Sequence, residues 1–167
     1  SVAPAALPPW KSSFATCGQK RSGSRAGIEA ALASLIEPGD RVAVTVPGYP
    51  PYRHILTALG CEPVLIETSS ATRHALTGEA LLAAHRKTPL KGVLVGSPAN
   101  PTGVVASDEE IRGLAQICSE RNIALVSDEI YNRFCYDRPF VSPARFNPQT
   151  IVIDGFSKTY AMTGWRL

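Results

Sequence analysis

Residues 91–131, KGVLVGSPANPTGVVASDEEIRGLAQICSERNIALVSDEIY, alternate between two hydrophobic patterns. The runs KGVLVG and IALVS are short and almost continuously apolar, which is typical of strands buried on both faces of a sheet. Between them, Ser107 and Glu110 match the capping box S-x-x-E, and apolar residues at helical spacing follow. The stretch therefore predicts a strand, a helix and a second strand parallel to the first.

The same alternation continues on both sides of this unit. A helix that starts near Gly23 is stopped by Pro38-Gly39, and another is closed by Gly60. The run IVI at residues 151–153 predicts the last strand. Helices are predicted at residues 23–36, 52–59, 76–87 and 107–121, and strands at 41–46, 63–67, 91–96, 123–127 and 151–153. The pattern indicates an α/β fold, a mostly parallel sheet flanked by helices on both faces.

The composition argues against several classes of protein. The chain has 167 residues, 44% of them apolar and 19% charged, which fits one soluble globular domain. A net charge of +3 without a basic run argues against nucleic acid, and the lack of a long apolar stretch argues against a membrane span. We therefore expect neither a nucleic-acid nor a membrane partner.

The cysteines and histidines show no metal-ligand spacing, so no metal site is predicted. The four cysteines are widely scattered, without a C-x-x-C pair, as in proteins of a reducing compartment. A cytoplasmic location is therefore expected. The cysteines are Cys17, Cys61, Cys118 and Cys135.

The first 22 residues differ from the rest. They are rich in proline, alanine and serine, have no periodicity and contain no acidic residue. They predict an irregular or disordered N-terminus, and their acid-poor composition also resembles a transit peptide.

Polar residues follow four of the predicted strands at the ends where parallel-sheet proteins bind ligands. They are Tyr49, Asn100, Asp128 and Lys158. Each has an ordinary explanation on its own: a loop aromatic, a turn, a helix cap and a solvated surface charge. Together they suit a pyridine aldehyde cofactor, because a lysine amine can form a Schiff base with the aldehyde and an aspartate can keep the ring nitrogen protonated.

Four segments carry a resemblance to a known family: PGYPPY at 47–52, SPANPTG at 97–103, SDEIY at 127–131 and SKTYAMTGWR at 157–166. In order and spacing they resemble the class I/II aminotransferases, fold-type-I enzymes dependent on pyridoxal 5′-phosphate. The resemblance covers residues 23–167. It implies that this region is part of the family's large, cofactor-binding domain.

The resemblance also implies roles for individual residues. Lys158 would form the Schiff base and move the proton between the substrate and the cofactor. Asp128 would pair with the pyridine nitrogen, Asn100 and Tyr131 would hydrogen-bond the phenolic oxygen, and Tyr49 would stack on the ring.

The phosphate would be bound at the other end of the cofactor. The resemblance implies Ser157 and Arg166 for this task, together with backbone N–H groups around Ser24 and Arg25. Many family members have serine or threonine where this chain has Arg25, and a further serine where it has Gly155.

The expected function is transfer of an amino group from an amino acid to a 2-oxo acid by a homodimer. Two alternatives share the motifs: a carbon–sulfur lyase or cyclopropane-forming synthase, and a non-catalytic ligand-sensing module. The family continues beyond the matched segments into a small C-terminal domain that holds an arginine for the substrate carboxylate. That arginine has no counterpart in these residues, so the 167-residue chain is expected to lack activity alone.

Overall fold

A five-stranded, entirely parallel sheet in the order β2-β1-β3-β4-β5 organises the computed structural model, which describes residues 24–165. The strands are β1 (Arg41–Val46), β2 (Glu62–Glu67), β3 (Gly92–Gly96), β4 (Ala124–Asp128) and β5 (Ile151–Ile153). The helices are α1 (Ser24–Leu35), α2 (Pro50–Ala58), α3 (Gly78–Lys87), α4 (Asp108–Arg121) and α5 (Phe156–Thr159). The α/β class predicted from the alternating pattern is confirmed.

Helices cover both faces of the sheet because successive strand residues point to opposite sides. Leu94 and Val126 pack into one apolar cluster with α1 and α2, and Val93 and Leu125 pack into another with α3 and α4. All four side chains are almost completely buried. The near-continuous apolar runs of β3 and β4 are thus explained by burial on both faces.

The start of α4 agrees with the predicted capping box. The Ser107 hydroxyl accepts a hydrogen bond from the Glu110 N–H at 3.2 Å, and the Ser107 N–H donates to the Glu110 carboxylate at 2.6 Å. The pKa of Glu110 is lowered: burial acts to raise it, but the Ser107 hydrogen bonds and the Arg73 guanidinium outweigh burial. The helix N-terminus that follows the Asn100 loop is therefore firmly anchored.

Several predicted boundaries need correction. Helix α3 begins at Gly78 rather than residue 76, because the Thr77 hydroxyl caps it by accepting from the Ala80 N–H at 3.2 Å. Helix α2 begins at Pro50, since proline suits the first helical turn, where its missing N–H costs nothing.

The irregular N-terminus predicted for residues 1–22 and the phosphate role predicted for Arg166 lie outside the described residues. Within residues 24–165, no helix is both long and apolar enough to cross a bilayer.

Candidate cofactor site

An open pocket with about 500 Å³ of empty space lies at the carboxyl edge of the sheet. Parallel strands bring all their carboxyl ends to this edge, so residues far apart in sequence meet there. The pocket is lined by Ser24, Tyr49, Tyr52, Gly96, Pro98, Asn100, Asp128, Ile130, Tyr131 and Lys158. All four residues chosen for their positions after predicted strands are among them.

A second hollow of about 560 Å³ lies against α4, on the α3–α4 face of the sheet. Its lining is mostly apolar and holds neither Lys158 nor Asp128. We therefore place the candidate chemistry in the first pocket.

Asp128 ends β4 and is 5% exposed. Its carboxylate accepts hydrogen bonds from the Tyr52 hydroxyl at 2.8 Å and from the Ile130 N–H at 3.2 Å. Burial raises the pKa of Asp128, although these two hydrogen bonds act in the opposite direction. No lysine or arginine among residues 24–165 forms a salt bridge with it, so the carboxylate is buried without a cation.

Lys158 lies on the short helix α5, directly after β5. Its side-chain nitrogen is 5.7 Å from the centre of the Tyr131 ring. Among the residues that the structure describes, no carboxylate lies within salt-bridge distance of this amine. The amine therefore faces the pocket without an anionic partner from the described part of the chain.

Tyr52 is a pocket residue that the sequence did not reveal. It is 7% exposed, and its hydroxyl reaches Asp128 across the pocket floor. Gly96 allows this approach, because a Cβ there would lie 3.1 Å from the Tyr52 hydroxyl oxygen. The available signal was a tyrosine on an otherwise apolar inward helix face, but its partner is 76 residues away.

Tyr49 begins the turn into α2 and packs edge-on against Tyr52, with ring centres 5.3 Å apart. Asn100 lies at the exposed tip of the loop after β3. Both line the pocket, from loops that follow neighbouring strands.

Only one of the described residues predicted to bind phosphate lines the pocket. Ser24 lines the pocket at the start of α1. The Arg25 guanidinium instead pairs with Glu29 at 3.1 Å, and half-buried Ser157 is not part of the pocket lining. Their phosphate role stays a prediction.

The family model for class I and II aminotransferases matches residues 19–167. The chain belongs to this aminotransferase family. The valine–pyruvate aminotransferase of Mycobacterium tuberculosis is 45% identical over 148 residues, which are 87% of this chain and 38% of that protein.

Solved structures agree with the family assignment. Aspartate aminotransferase from Thermus thermophilus with maleate superposes with a TM-score of 0.83 at 33% identity, over 87% of this chain and 38% of that one. An aminotransferase from Mycobacterium tuberculosis gives a TM-score of 0.81 at 43% identity, over 86% of this chain and 37% of that one. The chain thus spans well under half the length of these aminotransferases.

The family depends on pyridoxal 5′-phosphate, and the pyridine end of that cofactor fits this pocket. A protonated ring nitrogen would supply the cation that buried Asp128 lacks among the described residues. The Lys158 amine is available for the aldehyde, and Tyr49 and Tyr131 offer aromatic surface for a planar ring.

Proposed function

We propose that this chain forms the cofactor-binding part of a pyridoxal 5′-phosphate-dependent aminotransferase. The protein would move an amino group from an amino acid to a 2-oxo acid. The observation that carries the proposal is the meeting of Asp128 and Lys158 in one pocket of the family's fold, a buried carboxylate and an amine that have no ion-pair partner among residues 24–165.

Asp128 would hold the proton on the pyridine nitrogen. A carboxylate whose pKa is raised by burial gains strongly from a cationic partner, because the low dielectric that penalises it alone strengthens the pair. The Tyr52 hydrogen bond would keep one carboxylate oxygen fixed, leaving the carboxylate oriented toward the ring.

Lys158 would hold the cofactor by its amine and, once released by the incoming amino acid, would carry a proton to and from the substrate α-carbon. When bound, pyridoxal 5′-phosphate supplies an electron sink next to that carbon and carries the amino group between the two substrates. A positioned lysine can contribute about 10²- to 10⁴-fold as a general acid and base.

Tyr49 would pack on one face of the ring, and Asn100 and Tyr131 would donate hydrogen bonds to its phenolic oxygen. Both donors lie on loops that follow β3 and β4, two adjacent strands. Ser24, Ser157, Arg166 and the backbone around Arg25 would bind the phosphate, with the N-terminus of α1 adding backbone N–H groups.

The substrate class follows from the family. Several of its relatives are named for an amino acid such as aspartate, and one is named for an amino acid and oxo acid pair, valine and pyruvate.

An exchange assay tests this function. We expect the full-length protein with pyridoxal 5′-phosphate to convert amino acids to their 2-oxo acids only when a second oxo acid is present, in equal amounts. Release of ammonia and pyruvate without an acceptor would instead identify a lyase, and binding of amino acids without turnover would identify a ligand sensor.

We also propose that the full-length protein is a cytoplasmic homodimer. Two of the three described cysteines, Cys61 and Cys118, are buried free thiols, in keeping with a reducing compartment. Light scattering should give twice the monomer mass, and cell fractionation should recover the protein with the cytoplasm. A fully active monomer, or recovery in another compartment, would contradict the respective part.

A further inference from the structure

Arg138 reaches from the irregular segment after β4 to the base of the loop that carries Asn100. One guanidinium nitrogen donates to the Ala106 carbonyl at 2.7 Å and to the Val105 carbonyl at 3.3 Å. The other lies 3.4 Å from the Asp108 carboxylate. The bond to Ala106 is short and charge-assisted, and hydrogen bonds of that kind are the stronger ones.

An ordinary surface ion pair does not account for this arrangement. The Asp108 side chain is 54% exposed and its contact with Arg138 is the longest of the three, so that pair contributes little. The two backbone carbonyls are the closer partners. One guanidinium nitrogen donates to both of them, while the other faces Asp108 in the fork geometry that a lysine lacks.

The Asn100 loop is a closed unit that Arg138 holds at its base. The Ala106 N–H donates to the Ser97 hydroxyl at 3.3 Å, which ties the two ends of the loop together. Inside it, the Ala99 N–H donates to the Val104 carbonyl at 2.9 Å and the Gly103 N–H to the Ala99 carbonyl at 2.8 Å. A shift of Ala106 would therefore move the whole loop, Asn100 included.

Arg138 itself belongs to a segment that carries Tyr131. The segment is closed at its base by the Ser142 hydroxyl, which donates to the buried Glu129 carboxylate at 2.6 Å. Within it, the rings of Tyr131 and Phe134 meet edge-on at 6.1 Å. Arg138 thus joins the segment of Tyr131 to the loop of Asn100.

We infer that Arg138 is a positioning residue, which sets the distance between Asn100 and Tyr131 so that both donate to one cofactor oxygen. The inference rests on the proposed function, since the shared oxygen is the phenolic oxygen of pyridoxal 5′-phosphate. Arg138 is not among the described residues that line the pocket, so it acts through the two segments it joins.

The test uses the full-length protein and the pH dependence of the visible absorption of bound pyridoxal 5′-phosphate. Hydrogen bonds donated to the phenolic oxygen stabilise its negative charge. They therefore lower the pKa of the cofactor proton that lies next to this oxygen. Weakening both donors through Arg138→Ala should raise the pH midpoint of the absorption change by about 0.3 to 1 unit, the equivalent of part of one hydrogen bond.

Matched variants separate positioning from charge and from general stability. Arg138→Lys keeps the positive charge but loses the fork, and should still raise the midpoint. Arg41→Ala is the control: Arg41 pairs with Glu62 and has a side chain of similar exposure, 42% against 38% for Arg138, at the other end of the sheet. It should leave the midpoint unchanged.

Hydrogen exchange gives a second readout that needs no cofactor. In Arg138→Ala, the Ala99 and Gly103 amides should exchange about tenfold faster than in the wild type or in Arg41→Ala, because the loop loses its tether. An unchanged midpoint and unchanged exchange in Arg138→Ala would overturn the inference, as would a wild-type midpoint in Arg138→Lys.

Failure of the proposed function would give a different result from failure of the inference about Arg138. If the wild-type protein gave no visible absorption with pyridoxal 5′-phosphate, the cofactor site and the role inferred for Arg138 would both be wrong. If the wild type absorbed normally and the Arg138 variants kept the wild-type pH midpoint and exchange rates, the cofactor site would stand and only the inference about Arg138 would be wrong.

Discussion

Lys158→Ala should abolish amino-group transfer, lowering kcat by on the order of 10⁴-fold or more. The variant loses the only amine that lines the pocket among the described residues, and with it both the proposed attachment of the cofactor and the proposed proton carrier. Mass spectrometry after borohydride reduction checks the first loss directly. The wild-type chain should gain the mass of the cofactor at Lys158, and the variant chain should gain none.

Two controls sharpen this result. Lys158→Arg keeps a positive charge but cannot lose its proton, so it should be as inactive as the alanine variant. Lys91→Ala removes an exposed lysine at the opposite end of β3 and should leave activity unchanged. Covalent cofactor in Lys158→Ala, at the level of the wild type, would assign the attachment to another residue.

The gathering of Tyr49, Asn100, Asp128 and Lys158 at one edge could be predicted because it depends only on chain direction. Once strands are known to be parallel, the residues after them meet at the same edge regardless of the exact register. The capping box at Ser107 could be predicted for a similar reason, since its partners are three residues apart.

The Tyr52–Asp128 bond could not be predicted, because it depends on register. Gly96 pairs with Asp128 across β3 and β4, and a Cβ at Gly96 would lie 3.1 Å from the Tyr52 hydroxyl that donates to the carboxylate. A slip of one residue would turn Asp128 to the other face of the sheet. The role of Arg138 could not be predicted either, for a different reason: its partners are the backbone carbonyls of a loop more than 30 residues away, which no side-chain pattern marks.

Asp128→Asn should lower kcat by about 10²- to 10⁴-fold, the equivalent of the roughly 3 to 5 kcal/mol lost when one partner of a buried charge pair is removed. Asparagine can still accept from the Tyr52 hydroxyl, so the pocket floor should keep its shape while the charge disappears. Steady-state kinetics with saturating cofactor measure the effect.

The same substitution should not lower the stability of the cofactor-free protein. Because burial raises the pKa of Asp128 in the folded protein, ionising it at neutral pH costs folding free energy when no cofactor is bound. Stability from this group is thus present at low pH and falls as pH rises above its pKa in the unfolded chain. Cofactor-free Asp128→Asn should therefore have a Tm at neutral pH no lower than the wild type.

Glu129→Gln is the matched control for Asp128. Glu129 is the neighbouring residue, is 4% exposed and also has a pKa raised by burial, but it hydrogen-bonds Ser142 and does not line the pocket. Removing its charge should change the Tm in the same direction and leave kcat within a few-fold of the wild type. A wild-type rate in Asp128→Asn would show that the charge of Asp128 matters only for folding. An equal loss of rate in Glu129→Gln would show that the loss is not specific to the carboxylate that lines the pocket. The opposite result, a large loss of rate without a loss of stability in Asp128→Asn alone, identifies a carboxylate retained at a cost to stability because its partner is the cofactor.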